Sequence, residues 1–476
     1  MATFLSPGDT LYLCDGVYTT ANSGMLSLSN ANGWPDGTSD AYITVKGLHA
    51  NCDGGHAACA IIDGQSGSTS CTVSGMAYYN IEDLQCEDSS DATFKVTGSS
   101  ASNPSSYVNV RRVSAYNAAT AGGKTLFSAQ YYSDHILFED TIASQKSLRS
   151  PSGQGGRMCW MIFNGASNVT VRRGYCNMQY INTTQPCVGL SFYSSSDSLV
   201  ENTIFDFTNA TCSGSYETYC ITGQSSYHYN ANNKAYGNVC FASTQHGWNG
   251  FDPETNKTGD LGSPYDHNSW EWYHNVVINL NSGGFWHWDA DDYKYENQTI
   301  VNHTRTDDAA YFKHDNGPYT YNCTGVCGAT LKNNSFLNVN TGIKDNTGNS
   351  VIHTYNNIYN TTYCYKYTDP GEGDRCNSTN PEYDTSTYGK GAYLMVPTAL
   401  QSVGEGGGKV GAEVLYRYQE GTISETPLWP WPMEDRIKKE TGISVTYESG
   451  GGIWKTLKGV YADNVPPSAP TGLTVN

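Results

Sequence analysis

Charge is scarce in this chain. Of its 476 residues only 15% are Asp, Glu, Lys or Arg, and 27 basic side chains stand against 45 acidic ones, a formal net charge of −18. A polyanion-binding surface is therefore not a property of the whole protein. This argues against nucleic acid as a partner and leaves an acidic ligand only a local basic patch. Long apolar runs are missing too. None approaches the roughly 18 residues of a membrane span, and no signal peptide precedes Ala2. The chain opens on "TFLSPGDTLYLCDGVY", which already reads as turn and strand, so the expectation is a trimmed piece of a secreted protein. Also absent are a P-loop, a dinucleotide fingerprint, a GxSxG elbow, an HExxH helix and any CxxC…CxxC or Cys/His zinc pattern. These absences exclude nucleotide and serine-hydrolase chemistry and argue against structural zinc.

What is plentiful points to short strands. Gly (50), Tyr (36) and Asn dominate, a composition foreign to helical bundles and suited to an all-β chain with many Gly/Asn turns. The 15 cysteines include close neighbours in sequence: Cys52/Cys59, Cys71/Cys86, Cys176/Cys187, Cys212/Cys220, Cys323/Cys327 and Cys364/Cys376. They read as loop-stapling disulfides of an oxidising compartment, with the pairing left open. The odd count leaves one thiol over, for which Cys14 is the candidate. Ten Asn-x-Ser/Thr sequons, among them those at Asn182 and Asn360, are possible glycosylation sites.

A recurring phrase organises the chain. A hydrophobic residue, two polar residues and then hydrophobic alternation appear in "NIEDLQC", "NVRRVSAY", "ILFEDTIAS", "VTVRRGYC", "LVENTIFDF", "AYGNVCFAS", "WYHNVVIN", "YENQTIVN", "LKNNSFLN" and "TYNNIYN". Anchored on the second polar residue, the phrases fall at Asp83, Arg112, Asp140, Arg173, Asn202, Asn238, Asn275, Asn297, Asn334 and Asn357, with spacings of 29, 28, 33, 29, 36, 37, 22, 37 and 23 residues. Such units are too long for hairpins and lack a helical period. Each fits one turn of a parallel β-helix. Six consecutive anchors are Asn, which would hydrogen-bond along the axis at one bend and tolerate a left-handed conformation there.

The segments "SPGDTLYLCDGVYTT" and "AYITVKGL…AIIDGQSG" resemble the entry of right-handed parallel β-helix proteins of the pectate-lyase-like superfamily. The resemblance covers roughly residues 5 to 370. It implies a right-handed parallel β-helix solenoid of ten or more coils, three parallel sheets and a groove along one face. The superfamily's enzymes are mostly polysaccharide lyases and glycoside hydrolases; phage tailspikes and surface adhesins share the fold, which alone does not choose among them. On this reading residues 1–384 form the β-helix. Residues 385–464 form a C-terminal cap over the open end, with a short helix between Pro432 and Gly442 and with Trp429 and Trp431 across the last coil. Residues 465–476, "VPPSAPTGLTVN", resemble the first strand of a fibronectin type III module.

The repeat also aligns the stretches that follow the Asn anchors: "HGWNGFDPETN", "GGFWHWDADD", "AAYFKHDNG" and "TGIKDNTGN". Setting Gly250, Gly284, Ala310 and Gly342 level puts Phe251, Phe285, Tyr311 and Ile343 in one inward column. Asp252, Trp286, Phe312 and Lys344 then face out; Pro253, His287, Lys313 and Asp345 face in; Trp288, His314 and Asn346 face out. A slip of one residue would swap the faces. The resulting patch joins Trp248, Trp286, Trp288 and Phe312 to His246, His287, His314, Lys313, Asp289, Asp291, Asp292 and Asp315. Aromatics that stack on sugar rings beside groups that bond hydroxyls suit an extended glycan.

For a lyase, Lys313 is the nearest base, with His287 or His314 as alternatives. The resemblance implies calcium, for which Asp289, Asp291, Asp292 and Asp315 are the oxygen ligands, although the compact Asp-Asp-Gly-x-Asp cluster of some calcium-dependent pectate lyases is absent. For a hydrolase, Asp289 and Asp315 on adjacent coils are the carboxylate pair. A basic loop, Lys146, Arg149 and Arg157 near Arg172 and Arg173, would hold a uronate or sulfate, unless its arginines pair with Glu139 and Asp140. The expected function is thus a secreted carbohydrate-active protein, a polysaccharide lyase before a glycoside hydrolase. The alternative is a non-catalytic structural or adhesive protein, a surface fibre or filament subunit making contacts with its own copies.

Overall fold

A computed structural model describes residues 5–19, 25–49, 59–67, 69–118, 125–145, 158–178, 187–207, 218–224, 230–241, 248–253, 269–278, 284–288, 293–301, 308–313, 329–346, 351–428, 431 and 433–441. Its strands succeed one another in threes. The first of each three joins sheet A, the second sheet B and the third sheet C, which hold twelve, thirteen and twelve parallel strands among the described residues. This is a parallel β-helix, as the repeat requires. Every strand pairs with its counterpart one coil away, so equivalent residues stack. One inward column of sheet A runs from Leu11 through Val45, Ile81, Val110, Phe138, Val171, Val200, Ala235, Trp272 and Tyr295 to Leu331 and His353.

The bend from sheet A to sheet B sets the coil. Its first residue is left-handed in successive coils: Asp83, Arg112, Asp140, Arg173, Asn202, Gly237, His274, Asn297, Asn333 and Tyr355 have φ between 47° and 62°. The amide ladder sits one residue later. Asn238 N and Nδ2 donate to Asn275 Oδ1 (both 2.9 Å), Asn275 to Gln298 Oε1, Gln298 N to Asn334 Oδ1, Asn334 to Asn356 Oδ1, and Asn356 to Asp374 Oδ1. The six Asn anchors therefore mix neighbouring columns. Asn202 and Asn297 are bend residues, Asn238, Asn275 and Asn334 are rungs, and Asn357 lies one position past the rung Asn356. Asn suits both positions, so residue identity does not separate them.

The earlier coils solve the same bend with charge. Lys46, Glu82, Arg111, Glu139, Arg172 and Glu201 stand opposite one another in alternating sign. Arg172 bonds Glu139 (3.2 Å), Glu201 (2.5 Å) and Glu420, while Arg173 bonds Asp140 (2.7 Å) and Glu139 (2.9 Å). Burial would raise the Glu139 carboxyl, but Arg173, Arg111 and Arg172 outweigh it and hold it below the ordinary carboxylate range. Arg172 and Arg173 thus belong to the scaffold.

Among the described residues, the disulfides Cys71–Cys86, Cys159–Cys176, Cys220–Cys240 and Cys364–Cys376 each join a strand of sheet C to the next strand of sheet B. They staple two walls of the coil and remove freedom from the unfolded chain. Cys176 and Cys220 thus pair with Cys159 and Cys240, not with their nearest neighbours in sequence. Cys14 is free and exposed.

The described part of the C-terminal segment lies along a flank of the solenoid instead of across its end. Leu394, Val414, Leu428, Trp431, Met433 and Ile437 cover the outward residues Ile142, Ile204, Val239, Val276 and Val301 of sheet B. The strap runs back toward the first coils: Ala412 N bonds Thr299, Tyr418 N bonds Asn202, Gly421 N bonds Glu201, and Arg436 in the helix Glu434–Thr441 bonds Arg112 O (2.7 Å) and Leu84 O (3.0 Å). The physical reason is that sheet B is apolar outside as well as inside and requires cover. At the last coil the core column instead ends on a polar group. His353 Nδ1 meets Asp374 Oδ2 (2.5 Å) and Nε2 meets Thr368 Oγ1 (3.1 Å), within the loop closed by Cys364–Cys376. Trp429 and residues 442–476, including the fibronectin-like stretch, lie outside the described residues.

The ladder predicts that Asn275→Ala, which strips the acceptor from Asn238 N, destabilises the protein by about 2–4 kcal/mol in denaturant titration. The strap makes a pH prediction through His274, whose Nδ1 accepts from Glu413 N and whose ring packs against Tyr418. Burial lowers its pKa from 6.5 to about 4. The unfolded chain then binds a proton that the folded one refuses, so this stability is whole above about pH 6.5 and falls as pH drops toward 4, by no more than about 3 kcal/mol. His274→Asn flattens the stability profile in that window.

Candidate functional site

The outer face of sheet C carries the candidate patch, on the strands Trp248–Pro253, Phe285–Trp288, Asp308–Lys313 and Thr341–Asn346. Their register corrects the sequence alignment. Phe251 pairs with Phe285, Phe285 with Ala310, and Ala310 with Ile343, so the inward column contains Ala310 in place of Tyr311. The cause is a demand for small residues one position earlier. A Cβ on Gly284 would come within 2.4 Å of Ile300 Cδ1 and 2.5 Å of Ala309 O, and one on Gly342 within 2.6 Å of Ile358 Cγ2. Ala309 fills that row between them. The Ala309–Ala310 doublet made a one-residue slip invisible in the sequence.

Two site residues change column as a result. Phe312 pairs with His287 and with Asp345, which is buried; Lys313 pairs with Trp288 and with Asn346, which is exposed. In backbone register Lys313 thus stands level with the exposed Asn346 instead of Asp345, while Phe312 and His287 stand level with the buried Asp345. Trp286, Tyr311 and Lys344 share one register position, and Trp288, Lys313 and Asn346 share another.

Tyr311, Lys344 and Asn346 form a contact set that the sequence reading missed. Lys344 Nζ lies 4.1 Å from the centre of the Tyr311 ring, a cation–π contact, and Asn346 Nδ2 donates to Tyr311 Oη at 3.3 Å. The column shared by Tyr311 and Lys344 was the available signal, and the slipped alignment hid it by assigning Tyr311 to the core. One sheet face here offers a cation and an amide over a largely buried phenol. That combination suits hydroxyls and carboxylates of a sugar chain.

No family model and no curated protein matches this chain. Among solved structures it is similar to pectate lyase Pel9A, at 14% identity and a TM-score of 0.41 over 90% of this chain and 82% of that one. A mannuronic acid specific polysaccharide family 6 lyase from human gut microbiota aligns at 14% identity and a TM-score of 0.47, over 76% and 78% of the two chains. A rhamnogalacturonan lyase aligns at 10% identity and a TM-score of 0.46, over 92% of each.

His246, Asp289, Asp291, Asp292, His314 and Asp315 lie outside the described residues, as do Lys146, Arg149 and Arg157. Trp248 is the first residue of its strand, pairing with Thr218. Elsewhere, Asp63, Glu87 and Asp88 bring carboxylate oxygens within 4.8 Å of one another. Asp63 Oδ1 accepts from Gln65 N (2.8 Å) and Glu87 Oε2 from Gln85 Nε2 (2.6 Å), so two of the three already serve the local turn.

The register is directly testable. Opposed residues on parallel strands are about 4.8 Å apart, within disulfide reach. The double variant Trp288→Cys/Lys313→Cys should cross-link on mild oxidation, seen by peptide mapping, and Trp288→Cys/His314→Cys should not. The reverse result would restore the slipped alignment.

Proposed function

We propose that this chain is a secreted carbohydrate-active protein that binds an extended glycan along the outer face of sheet C and cleaves it as a polysaccharide lyase. The observation that carries the reading is the register, which sets Trp286 level with Tyr311 and Lys344, and Trp288 level with Lys313 and Asn346. Aromatic residues in register with cationic and amide residues supply both requirements of a uronate chain: apolar faces for the rings and positive charge for the carboxylates. The disulfides suit an oxidising, extracellular setting, and no helix among the described residues is long and apolar enough to cross a membrane.

Lys313 is the proposed base. In the elimination, the base takes the proton α to the carboxylate, the C–H electron pair becomes a C=C bond, and the glycosidic C–O bond breaks. The departing oxygen then takes a proton. A lysine does this only when neutral, a state favoured where its ammonium is desolvated. His287 and His314 are the alternative bases. The carboxylates of Asp289, Asp291, Asp292 and Asp315 are the hard oxygen donors that calcium takes, and they are the residues proposed to hold it. Bound there, calcium would neutralise the substrate carboxylate.

Incubation with polygalacturonate, alginate and rhamnogalacturonan tests the reading. Ultraviolet absorbance reports an unsaturated uronate, and a reducing-end assay reports any cleavage. Absorbance is expected to rise with at least one of them, and Lys313→Ala should lower kcat about 10²- to 10⁴-fold. Reducing ends without absorbance would indicate hydrolysis, with Asp289 and Asp315 as the pair to vary. Silence in both assays with the unaltered chain would sink catalysis and favour the fibre or adhesive alternative.

A further inference from the structure

The corner where sheet C turns into sheet A carries aromatic residues in an unfavourable backbone conformation. Tyr78, Tyr107, Tyr131, Tyr132 and His135 have φ between 46° and 61°. That region suits Gly, Asn and Asp and crowds a bulky side chain. Neighbouring coils show the less strained solution. One coil beyond Tyr131–Tyr132 stand Asn164 and Gly165, both left-handed, and the column of Tyr78, Tyr107 and His135 continues as Asn168, Asp197 and Asn232.

Burial does not explain the tyrosines. Tyr107 is 36%, Tyr131 44% and Tyr132 46% exposed. Tyr107 is sandwiched between Tyr78 (4.9 Å) and His135 (4.6 Å), so it offers an edge and a hydroxyl. Tyr131 meets Phe163 at 85°. The neighbouring coil makes room for the pair: a Cβ on Gly98 would come within 2.5 Å of Tyr131 O and 3.0 Å of Tyr132 Cβ. Strain kept at exposed side chains points to a use for those side chains.

We propose that this corner is a second glycan-binding surface, one that takes a neutral polysaccharide, with Tyr131 and Tyr132 stacking on sugar rings and Tyr107 and His135 bonding hydroxyls. The choice of a neutral chain follows from charge. Among the residues named here none is Lys or Arg, while the adjacent Asp134 carboxylate already accepts from His135 Nδ1 (2.6 Å), Ser167 Oγ (2.9 Å) and Asn168 Nδ2 (2.8 Å). A polyuronate would meet that carboxylate without a countercharge. The strand Thr125–Gln130 is five strands from Phe285–Trp288 in sheet C, roughly 24 Å along the axis, so this surface is separate from the proposed cleavage site.

The inference rests on the carbohydrate reading above but on different residues. Native affinity electrophoresis of the full chain in gels containing hydroxyethylcellulose, xylan, galactomannan or polygalacturonate tests it. Retardation by at least one neutral glycan is expected. The double variant Tyr131→Asn/Tyr132→Gly should weaken it at least tenfold while its Tm equals or exceeds that of the parent, because the strain is relieved. No retardation by any neutral glycan, retardation by polygalacturonate alone, unchanged retardation of the variant, or a lower Tm would each overturn the proposal. The variant should leave Lys313-dependent product formation from polyuronates unchanged. A chain that binds a neutral glycan and cleaves no polysaccharide sinks the lyase reading and not this one.

Discussion

Everything in this solenoid depends on equivalent residues meeting one coil apart. Parallel strands about 4.8 Å apart place each side chain directly beside its counterpart, so a column must be self-compatible from end to end. Apolar columns satisfy this without further help. Polar columns do not, because identical charges would repel and isolated buried amides would lose their hydrogen bonds. The two halves of the sheet A to sheet B bend solve this differently. The early coils alternate sign through Lys46, Glu82, Arg111, Glu139, Arg172 and Glu201. The later ones use Asn, which donates and accepts at once and therefore stacks on itself.

The switch between the two solutions coincides with the strap. Glu201, the last acid of the alternating column, accepts the backbone N–H groups of Glu420 and Gly421, and Asn202 accepts that of Tyr418. Glu201 has Arg172 on one side and Tyr236, not a cation, on the other, and the passing backbone supplies donors on that side. The strap is thus electrostatically specified at one coil and hydrophobically specified along sheet B, where it buries Ile204, Val239 and Val276. The helix Glu434–Thr441 is fixed in its first turn by Arg436, which is buried and donates to Arg112 O and Leu84 O.

The coil itself was legible in the sequence because its phrase repeats: two polar residues at a bend between alternating strands cannot be mistaken for a helix. The free Cys14 was legible from an odd count. The site register was not. Gly284, Ala309 and Gly342 are small because Ile300 and Ile358 leave no room, but Ala310 is small as well, and only the packing tells them apart. The Asn ladder was blurred for the related reason that Asn serves both as bend residue and as rung. The strap was read as an end cap because sequence shows that the C-terminal segment is apolar without showing which surface needs it. The closing of the last coil on His353 and Asp374 left no sequence signal, since each residue is unremarkable alone.

Departures from the column rule are therefore the most informative positions. Where a coil has Tyr131 and Tyr132 in place of Asn164 and Gly165, the turn itself does not require them, because the neighbouring coil makes it with less strain. Lys344 over Tyr311 is a departure of another kind. The column Trp286–Tyr311–Lys344 is not self-similar, and Tyr311 and Lys344 complement one another by ring and cation instead. A ring and a cation satisfy the column rule as well as like residues do, so such a column can vary from coil to coil without breaking the stack.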